Sequence, residues 1–302
     1  MFGLPHVLSE LRYIDRRFSR RLEPRLLVRI GALLAAVVAI RACTVFHLVA
    51  ATIGVPAELS GVALLAMASA GGPGRRCLLA LTVAAIVGTA TLLAPFGTAT
   101  SLSILHNLTP LGLLWQLAPQ GRRARLTALA ALPLLVIPLL VATGLPRLAM
   151  QAMGLSVPDA DPLGAGPLAD QLFVYVPAAL TGSARAIDLF TASVVAQGGH
   201  YLSVIVVLPL LLGRLDPDSA GLLVWPRGWG FALLCSAAGA VSLAVFSSGV
   251  AEARSLYGIA ASLHAWLEVP ILIFALTGIG QPVSNSPARN EPALATSDTS
   301  IA

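Results

Sequence analysis

Charge is scarce in this chain, and lysine is missing altogether. Only 11% of the 302 residues are Asp, Glu, Lys or Arg, and all 19 basic residues are arginine. A soluble globular domain carries about 25% charged residues, so that class is excluded. Cysteine is nearly as rare: Cys43, Cys77 and Cys235 lie far apart in apolar segments, with no CxxC spacing. This excludes a disulfide framework and a thiolate zinc site and leaves small apolar side chains. No Gly-rich phosphate loop, HExxH, GxSxG or CxxCH occurs, which removes the usual footholds of soluble-enzyme chemistry. Short alternating strands of a β-barrel are missing, as is the internal repeat from which many transporters are built.

What the chain does have is long apolar runs. It is 57% hydrophobic with a mean hydropathy of +0.84, and a bilayer-spanning helix needs about 20 such residues. The sequence therefore specifies an all-α, polytopic helical membrane protein. We place it in a bacterial-type inner (plasma) membrane. Spans are expected at about 28–55, 57–71, 77–95, 98–118, 124–145, 186–212, 228–248 and 254–279. The second is short and flanked by glycine, so a re-entrant course stays open for it.

The arginines orient these eight spans. With the N-terminus in the cytoplasm, 15 arginines fall on inner segments, three (Arg147, Arg185, Arg254) on outer ones, and Arg41 lies inside the first helix. That bias is the positive-inside pattern with both termini cytoplasmic. Seven arginines between Arg12 and Arg29 serve as a surface anchor and topology signal rather than as a nucleic-acid contact. Residues 1–27 accordingly form an interfacial amphipathic helix in contact with membrane lipids, with Leu8, Leu11, Ile14, Phe18 and Leu22 on its apolar face. The bundle occupies 28–279 and includes an outer segment, 146–185, with a short apolar helix between Leu168 and Leu180. The Ser/Pro/Ala-rich stretch 280–302 is an expected disordered tail.

Polar residues inside the apolar runs carry the functional signal. His47, His106, His200 and His264 each fall on a different expected span, and imidazole in hydrocarbon normally faces a partner or a metal. At 1.5 Å rise per residue they lie roughly 12, 13, 20 and 15 Å from the outer helix ends, a spread that helix tilt accommodates. Glu268 follows His264 by four residues and shares its face, and Tyr257 extends that face by two turns. Gln197 precedes His200 in QGGHY, where two glycines admit a close neighbour. Asn107 follows His106 in HNLTP, where Pro110 breaks the backbone pattern a turn later. The four histidines are the candidate metal ligands, and Glu268, Tyr257 and Gln197 the candidate catalytic or pocket residues. Imidazole with carboxylate suits iron, copper or zinc.

In size, helix count and number of intramembrane histidines the chain resembles the Brp/Blh family, membrane oxygenases that cleave β-carotene at an iron held by four membrane histidines. The family's G-x-P-H-G-x-x-D motif is absent: His47 stands in CTVFHLVAA and His200 in AQGGHYLSV. No ligand is therefore carried over by position. The resemblance implies an iron centre and a carotenoid or other lipid substrate. The expected function is an integral membrane oxidoreductase with non-haem iron and a hydrophobic small-molecule substrate. A b-type haem electron carrier, a proton-coupled transporter using His264 and Glu268, and a structural protein with histidines as hydrogen-bonding glue are the rival readings.

Overall fold

In lipid, backbone amides have no water to turn to, so a spanning segment must satisfy them internally as a helix. The computed structural model describes residues 2–155, 168–172, 175–215 and 220–278, and these are almost entirely helical. Eleven helices organise the fold. In chain order they are α1 (Gly3–Phe18), α2 (Pro24–Val45), α3 (Ala51–Ala68), α4 (Arg75–Leu93), α5 (Pro95–His106), α6 (Thr109–Leu117), α7 (Gln120–Ala142), α8 (Leu145–Ala152), α9 (Ala186–Arg214), α10 (Trp229–Ser248) and α11 (Val250–Leu276). Seven of these (α2, α3, α4, α7, α9, α10 and α11) are long and apolar enough to cross a membrane. Their large aliphatic side chains, such as Val28, Leu92, Leu93 and Leu233, point outward as a lipid-facing surface.

The fourth expected span, 98–118, is not one helix. It is divided between α5 and α6 at Asn107–Leu108, because Pro110 has no N–H to continue the ladder. The Asn107 amide folds back on the Ser103 and Ile104 carbonyls at 3.4 and 3.2 Å, covering the broken end. α5 packs on α3 and α4, whereas α6 packs on α7, α9 and α11. The segment expected at 57–71 is a full helix, α3, of 18 residues. Near residues 168–180 the described parts are a short helix, Leu168–Gln171, and a 3-10 turn, Ala178–Leu180. The tail 280–302 lies outside the described residues.

α11 is the axis of the bundle and touches α1, α2, α3, α4, α6 and α10. Two helices carry a π turn, at Leu132–Val136 in α7, where Pro133 interrupts the bonding, and at Ser203–Val207 in α9. The two helices lie against each other. A Cβ on Gly199 would sit 3.1 Å from the Pro133 carbonyl oxygen, so glycine is what permits that approach. At the other end of α9, Asp188 receives two hydrogen bonds from Arg147, at 2.7 and 2.9 Å. This pairing accommodates the buried carboxylate.

The N-terminal helix departs most from expectation. α1 does not lie on the surface of the bundle but packs among α9, α10 and α11. It buries the polar stripe His6, Glu10, Tyr13 and Arg17 together with Ile14 and Phe18 of the expected apolar face, while Leu8 and Leu11 are only partly covered. The spacing of four, three and four is a helical stripe. In water the apolar stripe turns inward; within a membrane bundle the polar stripe has more to gain by doing so. Tyr13 and Arg17 both donate to Gln116 Oε1 of α6 at 3.3 Å. Asp15 anchors the base of the helix, accepting from the Leu222 and Leu223 amides and Trp225 Nε1 at 2.9–3.0 Å.

Asp15→Ala strands three donors and should cost about 1–3 kcal/mol, read as a lower thermal unfolding midpoint in detergent. Asp15→Asn, which keeps one acceptor oxygen, should cost less. An unchanged midpoint for the alanine variant would mean that this anchor does not hold α1 in place.

Candidate metal centre

Four helices that differ in length and direction each present one histidine to the same point. His6 comes from α1, His106 from the broken end of α5, His200 from the turn before the π segment of α9, and His264 from the middle of α11. One ring nitrogen from each lies within 4.8 Å of the corresponding atoms of the other three, and His6, His200 and His264 are fully buried. Ring centroids are 4.5 Å apart for His106 and His200, 4.6 Å for His6 and His264, and 5.0 Å for His106 and His264. This is a buried histidine cluster that can hold a metal ion.

The distances can be compared with coordination geometry. With metal–nitrogen bonds near 2.1 Å, cis ligands of an octahedral ion stand about 3.0 Å apart and trans ligands about 4.2 Å apart. His6 Nε2 and His264 Nε2 are 2.8 Å apart, close to the cis value. The bound of 4.8 Å on the remaining separations exceeds the trans value by about 0.6 Å. Ordinary side-chain rotation covers such a difference.

Carboxylates complete the surroundings. Glu268 Oε2 is 2.5 Å from His106 Nδ1, and Thr109 donates to Oε1 at 2.5 Å. Such a carboxylate–histidine pair fixes which ring nitrogen faces the centre and makes it more basic. Glu10, one turn beyond His6 on α1, sits 4.0 Å from His200 Nε2 and forms a second close group with His200 and Glu268. Both oxygens of Glu10, both nitrogens of His200 and His264 Nδ1 are buried without a hydrogen bond. Buried polar groups are seldom left so. A divalent cation would give the imidazoles an electron-pair acceptor, and its two charges would balance the two carboxylates.

The sequence-based candidates divide at this point. His106, His200 and His264 converge, and Glu268 touches the cluster directly. His47 does not take part. It is exposed, in the loop after α2, with a φ of 58°. Its amide bonds the Thr44 carbonyl at 3.1 Å and the next amide, of Leu48, bonds that of Cys43 at 2.8 Å. That is the paired pattern of a helix terminating through a left-handed residue, so α2 ends at Val45 and leaves His47 beyond it. His6 fills the fourth place. Its signal was the stripe His6, Glu10, Tyr13, Arg17 inside a segment read only for its leucines and arginines.

Tyr257 and Gln197 are not members of the cluster but lie on the wall of an adjoining cavity of about 770 Å³, Tyr257 with its ring centre 6.5 Å from that of His6. His6, His106 and His264 form one boundary of that cavity. Arg41 and Glu58, 3.5 Å apart, border it as well, and Trp266 Nε1 donates to Glu58 at 2.7 Å. The histidine cluster therefore has one side open to a chamber and the others closed by packing.

These features define a class: a polytopic helical membrane protein with a buried histidine–carboxylate cluster beside an internal cavity. Compared with known protein families, curated proteins and solved structures, the chain matches none.

His6→Ala should reduce bound metal as strongly as His264→Ala, whereas His47→Ala should leave it unchanged. Elemental analysis of the purified proteins, with circular dichroism as the folding control, checks the set. Metal loss in the His47 variant with none in the His6 variant would contradict the assembled cluster.

Proposed function

We propose that this protein is an integral membrane oxidoreductase whose centre is a non-haem metal, iron in the first instance, bound by His6, His106, His200 and His264. The observation that carries the reading is the convergence of four imidazoles, each from a separate helix, on one boundary of an internal cavity. Structural hydrogen bonds would need only pairs of residues. Four converging rings, of which His200 has both nitrogens and His264 its Nδ1 without a hydrogen bond, and two adjacent carboxylates suit an ion.

Bound there, the metal would supply a site where dioxygen, as oxidant, meets a substrate held in the adjoining cavity. Glu268 holds His106 in position through its hydrogen bond and supplies negative charge beside the ion. Thr109 fixes the second oxygen of that carboxylate. Tyr257 and Gln197 act on the substrate side, as walls of the cavity. The close contact between the rings favours a bare ion over haem, since a porphyrin between two axial histidines needs a flat slot. The likeness in size and helix number to the Brp/Blh oxygenases points the same way.

Proton-coupled transport is the second reading, favoured by the 2.5 Å contact between His106 and Glu268 inside the bundle. An absorption spectrum with elemental analysis on detergent-purified protein separates the two. Near-stoichiometric iron without a Soret band is the expected result, and Glu268→Gln should lower oxygen-dependent turnover more than it lowers helix content. Metal-free protein after reconstitution with ferrous iron would overturn the oxidoreductase reading and turn attention to flux in vesicles.

A further inference from the structure

We propose that the cavity binds a single-chain anionic amphiphile, whose carboxylate pairs with Arg254 and whose chain runs along α11 towards the histidine cluster. This rests on the reading of the cavity as the substrate chamber and names the class of substrate it takes.

α11 lays one continuous face along the chamber. Arg254, Tyr257, Ala261, His264 and Ala265 all border it, at helical spacing. Ten residues separate Arg254 from His264, which is about 15 Å along the axis at 1.5 Å per residue. That is roughly the length of an extended dodecyl chain. The opposite wall, from α2, α3 and α5, supplies Val45, Val55, Leu59, Ala99 and Leu102. A chain lying between these walls meets aliphatic surface on one side and finds the metal centre at its far end.

Charge identifies the other end of the ligand. Arg41 is matched by Glu58 within the cavity. The carboxylates of Glu10 and Glu268 are turned to the histidine cluster. Arg254 has no carboxylate partner among the described residues; its guanidinium stands 5.8 Å from the centre of the Tyr175 ring. A cation held at the edge of a low-dielectric chamber is expensive unless an anion accompanies it. Tyr175 adds a donor at the same end, because burial pushes its phenol above the ordinary range and keeps it protonated at neutral pH. A cation and a phenol at one end of a chamber lined with aliphatic groups describe a fatty-acid-like ligand. A neutral hydrocarbon would leave Arg254 without a counter-ion.

The test uses the full-length protein in phosphatidylcholine nanodiscs, with 12-bromododecanoate and 12-bromododecanol as heavy-atom quenchers of Trp266 fluorescence. Trp266 borders the cavity, and the Trp266→Phe protein provides the background to subtract. The acid should quench saturably at about tenfold lower concentration than the alcohol, the worth of one charge-assisted contact. Arg254→Gln should abolish that preference, and Arg254→Lys should retain most of it. Equal quenching by acid and alcohol in the unmodified protein would overturn the proposal without any variant. So would an unchanged preference in Arg254→Gln. Metal content measured on the same samples keeps the two ideas apart. Acid-selective quenching in metal-free protein would preserve the ligand class and remove the oxidoreductase reading. Full metal occupancy without acid selectivity would do the reverse.

Discussion

Lipid offers no hydrogen bonds, so every polar side chain carried into it must find its partner within the protein, and this requirement shapes the whole interior. Glu10, Glu58, His200, His264 and Glu268 are all almost completely buried. None would be stable facing hydrocarbon, and together they can satisfy one another or an ion. The position of α1 follows from the same requirement. A helix with histidine, glutamate, tyrosine and arginine on one stripe gains little at a surface already rich in water. It gains a great deal where those residues meet Gln116, His264 and His200.

The interruption between α5 and α6 belongs to the same logic. A continuous helix through 98–118 would occupy its own carbonyls and carry His106 and Thr109 at fixed positions three residues apart. The break lets both approach Glu268, one to each oxygen. Irregular backbone at membrane depth is tolerated where protein covers it or where it lines a cavity, and here it does both. The π turn directly after His200 and the glycine at 199 bring α9 close to α7 without steric conflict. Several local departures from ideal helix thus surround the cluster, where such features tend to gather.

Beside the cluster the cavity divides its labour along α11. One end offers a cation and phenols, the other a ring of imidazoles, and aliphatic side chains line the way between them. An arrangement of this kind orients a long molecule by its two ends rather than by its shape. Two carboxylates beside the imidazoles make this a group of side chains that could hold a metal ion.

The helical membrane class follows from composition and hydropathy alone, and so do most of the spans, since about 20 apolar residues in lipid have one economical conformation. Glu268 and His264 were legible together because a spacing of four on a helix is a local fact. His47 and His6 were not, and the reason is physical. Whether His47 lies inside α2 depends on where the helix terminates, and no glycine marks that point. Whether His6 faces water, lipid or protein depends on which side of an amphipathic helix the rest of the bundle needs. A sequence records the two faces of α1, one of leucines and one of polar residues. Only the assembled helices decide that the polar stripe is buried along with Ile14 and Phe18, because the partners of His6 and Glu10 lie some 190 to 260 residues further along the chain.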